Sequence, residues 1–398
     1  MENSGMDTER IWTKNFTMNF IVNFLVNLNM YLLIVLIAGY AQSQFNASDS
    51  SAGLVAGLFI VGSLIGRFVM GKYINSLGPR KVLLIGTVLF TVTSIFYFVE
   101  SSLLFLIIVR IVNGFSFGVC TTSTGSIAGY ITPETKKGEG ISFFSLSMVL
   151  GAAIGPFLGL LLMQQYSIEV IFGLNFVLSF ISLILAIILK VPFETIARTA
   201  EDKGFKVSDF IAKEAVPIAI IVFIAGLSYS SILNYIKDFA LERDLIVASS
   251  YFFIVYAIVS IFSRPVCGRL MDARNENVVI YTSIIFQAIC FLVIAFSHSS
   301  WMLLIGGALL GLGYGNITST SQSVSVKVVP KEKIARATST FFIGLDLGLG
   351  FGPYILGLFT SNIGLGNMYI IMAILLIVTF FIYHFIHGRK VSLPKASH

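Results

Sequence analysis

A few ionisable and amide side chains lie inside long apolar stretches, and their types and positions are the ones that can do chemistry here. Asp346 is about ten residues into such a stretch, about 15 Å along a helix at 1.5 Å per residue, so near the middle of a hydrocarbon layer. Hydrocarbon disfavours the charged form of a carboxyl group and a nearby cation favours it, so a group in this position can take up and release a proton as its surroundings alternate. Asp346 is the expected proton carrier; the other reading is a structural hydrogen bond to a neighbouring helix. Arg110 interrupts another apolar stretch. A guanidinium at the centre of a membrane helix costs about 2.5–3.5 kcal/mol on insertion scales, so it must face a wet cavity or hydrogen-bonding partners. Arg110 is read either as a participant in proton coupling or ligand binding, or as a clamp tying helices through their carbonyls.

Uncharged polar groups form two further patterns. Asn15, Asn19, Asn23 and Asn27 recur every four residues, drifting only about 40° per step around a helix, so they form one polar stripe. Amides in lipid persist only when bonded to other helices or to cavity water, so Asn23 and Asn27 are expected either to line a polar path or to join helices. Ser228, Tyr229, Ser230, Ser231, Asn234 and Tyr235 make a second polar face, with Tyr229 and Asn234 as its candidate ligand contacts. Thr121, Thr122, Thr318 and Ser319 add hydroxyls, which either orient a polar ligand or bond back to their own helix carbonyls. Cys120, Cys267 and Cys290 all lie in apolar runs, so neither a disulfide framework nor a metal site is expected. No phosphate-binding loop of the Walker type occurs, so no nucleotide or other cofactor is expected, and any work must draw on an ion gradient, protons first, or on a partner.

The elements that position these groups must be membrane helices. Of 398 residues, 56% are hydrophobic and 12% charged, with mean hydropathy +0.89, and so few charges would not cover the apolar surface of a water-soluble protein. Twelve apolar runs of about 20 residues, the length that crosses about 30 Å of hydrocarbon, centre on 16–41, 53–72, 82–99, 103–131, 141–165, 170–190, 215–236, 249–267, 278–297, 301–326, 338–361 and 367–387. Their loops divide the Lys and Arg residues 21 to 2 between the two sides, which predicts cytoplasmic termini. The polar stretch before the first run, and that run's length, argue against a cleaved signal peptide. The net charge of +6 is scattered among short loops without aromatic interleaving, so it reads as a topology signal; the expected surroundings are lipid, with no nucleic acid.

Adding 197 to a first-half position reaches its second-half counterpart. Arg67 and Gly71 map onto Arg264 and Gly268, Gly114 onto Gly311, Pro133 onto Pro330, and Gly155-Pro156 onto Gly352-Pro353. One offset held across six spans predicts an all-α fold of two pseudo-symmetric six-helix bundles, residues 1–190 and 215–398, with a binding site at their interface. Residues 191–214, rich in charge, read as a cytoplasmic linker, either a plain tether or one carrying a short surface helix near Lys206 to Glu214.

Three patterns make the chain resemble the major facilitator superfamily, and within it the twelve-span drug:proton antiporters. Gly71-Lys72-Tyr73-Ile74-Asn75-Ser76-Leu77-Gly78-Pro79-Arg80-Lys81 is similar to the family's G-x-x-x-D-R-x-G-R-R/K loop, with Asn75 in place of its Asp. The second half keeps the acid, Asp272, in Gly268-Arg269-Leu270-Met271-Asp272. The resemblance implies that Gly71, Asn75, Gly78, Arg80 and Asp272 serve conformational gating, with any charge latch resting more on Asp272. Arg110-Ile111-Val112-Asn113-Gly114 resembles R-x-x-Q-G, which brings Asn113 beside Arg110 as a cavity residue. Gly151-Ala152-Ala153-Ile154-Gly155-Pro156-Phe157-Leu158-Gly159 resembles the antiporter element G-x-x-x-G-P-x-x-G. Small residues four apart make a flat packing face and Pro156 removes a backbone bond, so Gly151, Gly155, Pro156 and their counterparts Gly352 and Pro353 are expected at a bend that seals one side; ordinary tight packing is the plainer reading. The first span lacks the acid that many such antiporters carry. The expectation is a monomeric, multi-pass transporter of the cell membrane, of bacterial inner-membrane type, which exports a small molecule in exchange for protons by alternating access. An exporter dedicated to one metabolite, such as a siderophore, an importer or facilitator, and a non-transporting receptor are the alternatives.

Overall fold

The computed structural model describes residues 10–34, 36–163, 165–192 and 210–391, and all regular structure among them is helical. The first half in sequence contains α1 (Lys14–Ile34), α2 (Ile37–Phe45), α3 (Asp49–Leu77), α4 (Pro79–Ile95), α5 (Leu103–Ile131), α6 (Lys137–Met163) and α7 (Ile168–Ile188). The second contains α8 (Val216–Glu242), α9 (Ile246–Ala273), α10 (Glu276–Ala295), α11 (Ser300–Leu312), α12 (Tyr314–Lys327), α13 (Ile334–Ile363) and α14 (Leu365–Ile386). Among the described residues eleven spans are long and apolar enough to cross a membrane, with α11 and α12 forming one of them. The 30 residues of α13, about 45 Å of helix, have the length of a further crossing.

Burial is inverted relative to a water-soluble protein. Trp301 and Phe262 are 77% and 74% exposed, whereas Arg110 and Asn23 are fully enclosed. Apolar side chains outside and polar ones inside are what lipid selects as the surrounding solvent.

Local signals bound the helices. Ser48, Ser102 and Ser299 hydroxyls accept the backbone N–H groups of Ser51, Phe105 and Met302 at the starts of α3, α5 and α11. Gly78, at φ +85°, ends α3 and leads into Pro79 at the first position of α4, a turn that a residue with a Cβ would strain. Two expected spans are each divided. Leu36 N–H turns back to the Leu33 carbonyl (3.0 Å) in a tighter i to i+3 bond, separating α1 from α2. The tenth span breaks at Gly313, where a Cβ would lie 2.6 Å from the backbone nitrogen of Gln287 on α10.

The packing forms two compact units. The first comprises Met1–Thr132, Ser147–Ala212 and Val329–Thr340; the second comprises Pro133–Leu146, Lys213–Val328 and Phe341–His398. The short segments Pro133–Leu146 and Val329–Thr340 are counterparts under the 197-residue offset. Glu194, Arg198, Glu201, Asp202, Lys203 and Lys206 of the expected linker lie outside the described residues; Lys213 opens a short turn, Lys213–Ala215, before α8.

Within the first unit, Gly114 and Gly118 of α5 face the carbonyls of Phe59 and Ser63 on α3, and Gly62 and Gly66 of α3 face those of Ile111 and Phe115. A Cβ at any of the four would collide with opposing backbone, so glycine on both helices permits contact where lipid supplies no hydrophobic drive. In the second unit Gly307 and Gly311 of α11 approach Phe252 and Tyr256 of α9 the same way, but α9 carries Val259 and Ser263 where α3 has Gly62 and Gly66.

Candidate functional site

In the first unit one set of buried polar groups gathers about Arg110. α5 presents Arg110 and Asn113 three residues apart on one face, toward α3 and the end of α4. Arg110 Nε donates to the Val55 carbonyl (3.3 Å), Nη1 donates to the Tyr97 hydroxyl (3.1 Å), and the guanidinium carbon lies 4.5 Å from the centre of the Phe59 ring. Tyr97 in turn donates to Asn113 Oδ1 (3.2 Å), Asn113 Nδ2 donates to Thr93 Oγ1 (2.8 Å), and Thr93 donates to the Phe90 carbonyl (3.0 Å). All four side chains are buried, and Nη2 of Arg110 has no hydrogen-bond partner among the described residues. This geometry joins three elements as a clamp while leaving one guanidinium N–H₂ group to bind an acceptor. Sequence reading missed Tyr97 and Thr93, because an aromatic and a threonine in an apolar run carry no signal until α4 packs on α5.

The amide stripe on α1 is enclosed from Asn19 to Asn27, and Asn19 and Asn23 bond to other helices. Asn19 Nδ2 donates to the Thr124 carbonyl (2.9 Å) and Asn23 Nδ2 to Ser147 Oγ (2.7 Å), while Asn23 Oδ1 accepts from the Thr124 hydroxyl (2.8 Å). Asn27 donates back to the Asn23 carbonyl (2.7 Å), and Asn15 accepts from the Lys190 N–H (3.2 Å). Gly151 and Gly155 of α6 lie against Asn27 and Tyr31, so the glycine element seats α6 on this stripe. Pro156 stands inside α6, which continues through it. A second amide pair went unread: Asn29 Nδ2 donates to the Asn175 carbonyl (2.7 Å) and Asn175 Nδ2 to Asn29 Oδ1 (2.6 Å), tying α1 to α7. Neither residue shares a pattern with a neighbour, so only the packing reveals the pair.

In the second unit the polar face of α8 divides. Tyr229 is buried and stacks on Tyr314 of α12 (centroids 4.1 Å apart, 18° between planes), with Tyr256 of α9 at 5.8 Å. Beside the three rings Arg264 donates from Nη1 to the carbonyl (2.8 Å) and hydroxyl (2.9 Å) of Ser145, and from Nη2 to Thr318 Oγ1 (3.1 Å). Asn234, by contrast, is exposed and donates to the Ser230 carbonyl of its own helix (2.8 Å), so its amide is satisfied locally. The hydroxyls of Ser228, Ser230, Ser231 and Thr121 likewise return to their own helix carbonyls.

Asp346 is half-buried, twelve residues and about 18 Å into α13. Gly344 and Gly348 seat α13 on Ala219 and Phe223 of α8, and Asp346, midway between them, turns about 200° away from that contact. Gly352 continues the glycine row against Ser230; the side chain of Pro353 lies outside the described residues.

The loop residues form two clasps, one in each unit. In the first, Asn75 Nδ2 donates to the Glu332 carbonyl and Asn75 Oδ1 accepts from the Tyr130 hydroxyl (3.1 Å), while Gly71 lies against the Phe210 carbonyl and Arg80 donates to the Ile187 carbonyl (2.8 Å). In the second, Asp272 accepts from the N–H groups of Gly138 and Glu139 at the start of α6 (both 2.8 Å) and from Lys327 Nζ (2.7 Å). A carboxylate receiving two N–H groups of a helix's first turn is favoured by both the hydrogen bonds and the helix dipole. Glu139 also pairs with Arg269 (3.5 Å).

Comparison with known proteins agrees with this architecture. The family model for the Major Facilitator Superfamily matches residues 20–297 and 218–397. The chain is 24% identical to an uncharacterised MFS-type transporter of Methanocaldococcus jannaschii, covering 92% of this chain and 95% of that one. It is 25% identical to a multi-drug resistance efflux pump PmrA homologue of Lactococcus lactis, covering 91% of each. Among solved structures, the human organic anion transporter MFSD10 superimposes with a TM-score of 0.76 at 15% identity, covering 92% of this chain and 98% of that one. Buried guanidinium groups, glycine-seated helices and paired loop clasps thus sit in a chain matched nearly end to end: it belongs to the Major Facilitator Superfamily, a family of multi-pass membrane transporters and not of enzymes.

Proposed function

We propose that the chain is a proton-coupled exporter of small molecules. It acts as a monomer by rocking of residues 1–190 against 215–398, with both termini cytoplasmic, in a bacterial inner membrane. The observation that carries the reading is the match to an efflux pump over 91% of both chains. The clasps supply a mechanism of the required kind, because their hydrogen bonds and one ion pair, unlike a continuous apolar core, can open and re-form in each cycle. Protonated Asp346 favours one orientation and bound substrate the other, since a ligand shifts a conformational equilibrium only through differential affinity. Asn23, Asn27, Asn113, Tyr229 and Asn234 are the proposed substrate contacts, with Arg110 sensing the substrate's charge.

The test is transport in proteoliposomes carrying an imposed pH gradient. Addition of substrate collapses the gradient for the wild type, while Asp346→Asn retains substrate counterflow without proton movement. Gradient-driven transport by Asp346→Asn at the wild-type rate removes Asp346 as carrier, and transport by the wild type that ignores the gradient removes the coupling. A second reading, export of one anionic metabolite, draws on the available N–H₂ group of buried Arg110. Metabolite retention without drug sensitivity in a deletion strain favours it over multidrug efflux.

A further inference from the structure

On the outer surface of the second unit, α10 and α14 leave a groove between them lined only by apolar side chains, among them Ile285, Ala288, Ile289, Leu292, Ile377 and Phe381. Most of these are turned outward: Ile285 is 46% exposed, Ile377 49% and Phe381 56%. One end of the groove is polar. Tyr281, one turn before Ile285 on α10, and His384, one turn past Phe381 on α14, are joined by a 2.8 Å hydrogen bond between the hydroxyl and Nδ1. The Tyr281 ring packs at 4.7 Å on Phe380 and 5.0 Å on Tyr383, so the pair stands fixed across the groove's end.

Immediately beyond it the chain holds cations in place. Asn277 Nδ2 donates to the Gly388 carbonyl (2.8 Å) and Asn277 Oδ1 accepts from the Tyr383 hydroxyl (2.6 Å), which pins the short turn Gly388–Lys390 onto α10. Gly388 lies directly against the Tyr281 hydroxyl, where a Cβ would collide. Phe381, Phe385 and Arg389 follow at four-residue steps, and the Arg389 guanidinium rests over the Phe385 ring at 5.5 Å. The acid at this end, Glu276, is engaged by His387 (3.2 Å), and Arg389 has no acidic partner among the described residues.

From Leu292 to Tyr281 is eleven residues, about 16 Å of helix, or about half of the 30 Å hydrocarbon layer. The groove therefore has the depth of one leaflet, with its polar, cationic end where headgroups of that leaflet lie. We propose that this groove is a binding site for an anionic phospholipid, with one acyl chain along α10 and α14 and the phosphate at Arg389 and Lys390. A zwitterionic lipid fits the apolar part equally and brings the same phosphate, but its ammonium offsets the attraction, so the cationic end favours the lipid of net negative charge.

Native mass spectrometry of the purified full-length protein, titrated in parallel with phosphatidylglycerol and phosphatidylcholine of the same acyl chains, tests this. The wild type should retain phosphatidylglycerol at least about five-fold better, the scale set by a juxtamembrane cation near anionic headgroups. Arg389→Gln combined with Lys390→Gln, both exposed positions, should abolish that preference, and Ile285→Trp, which fills the groove, should lower retention of both lipids. Equal retention of the two lipids by the wild type, a preference unchanged by the charge variant, or retention unaffected by Ile285→Trp would each overturn the assignment.

Discussion

Asn75 and Asp272 are counterparts 197 residues apart, and each is bonded to a residue that is also a counterpart of the other's partner: Tyr130 for Asn75 and Lys327 for Asp272. One clasp is neutral, an amide between a hydroxyl and a carbonyl, and the other is ionic, a carboxylate between an ammonium and two helix N–H groups. Duplication supplies one backbone scaffold to both, and the side chains then set how strongly each holds. Hydrogen bonds to charged groups contribute about 1.5–3 kcal/mol against about 0.5–1.5 for neutral ones, so the second clasp is the stronger and the more sensitive to ions. The helix pairs differ too. Glycine on both α3 and α5 brings backbone to backbone, whereas only α11 carries the glycines in its contact with α9.

The largest test of this contrast is steric. Gly114→Val drives a side chain into the Phe59 carbonyl and should cost more than about 3 kcal/mol, with little folded protein recovered by fluorescence-detected size exclusion. Gly311→Val, whose contact is looser, should remain foldable with a lowered melting temperature; equal losses would erase the difference between the pairs. Next comes Asp272→Ala, which leaves two α6 N–H groups and Lys327 without their carboxylate and should destabilise by about 2–4 kcal/mol, against about 1 kcal/mol for Asn75→Ala. Thermal unfolding of both variants in one detergent gives the comparison directly. Asn75→Asp sets a carboxylate against the Glu332 carbonyl and should lose about 1–2 kcal/mol, and adding Tyr130→Lys, which copies Lys327, should recover most of it. Absence of that rescue would mean the two scaffolds are not equivalent. The smallest effect is ionic: raising salt from 0.05 to 0.5 M (about a three-fold shorter screening length) should accelerate cycling of the wild type by less than about two-fold, and Asp272→Asn should remove the dependence.

Membrane embedding, the all-helical class, the repeat and its marker residues were legible because each depends on composition or spacing along one chain. About 20 apolar residues make a span whatever surrounds them, and one offset aligns Arg67 with Arg264 and Asn75 with Asp272 without any coordinate. The break of the tenth span was not legible, because Gly313 in an apolar run resembles any packing glycine until Gln287 is found against it. Likewise Asn234 belonged to the same polar face as Tyr229 in sequence, yet one side chain is exposed and the other buried in an aromatic stack.

The sequence by itself determined that this chain must lie in lipid, as two related sets of helices, with Arg110 and the asparagines Asn19, Asn23 and Asn27 enclosed. Those conclusions follow from transfer free energies and helical period, which are properties of single segments. Only the tertiary structure decided whom each polar group meets: Tyr97 and the Val55 carbonyl for Arg110, Thr124 and Ser147 for Asn23, the start of α6 for Asp272. Partner choice is set by which helices pack together and at what depth. A hydrogen bond of 2.8 Å between residues more than a hundred positions apart leaves no trace in local pattern.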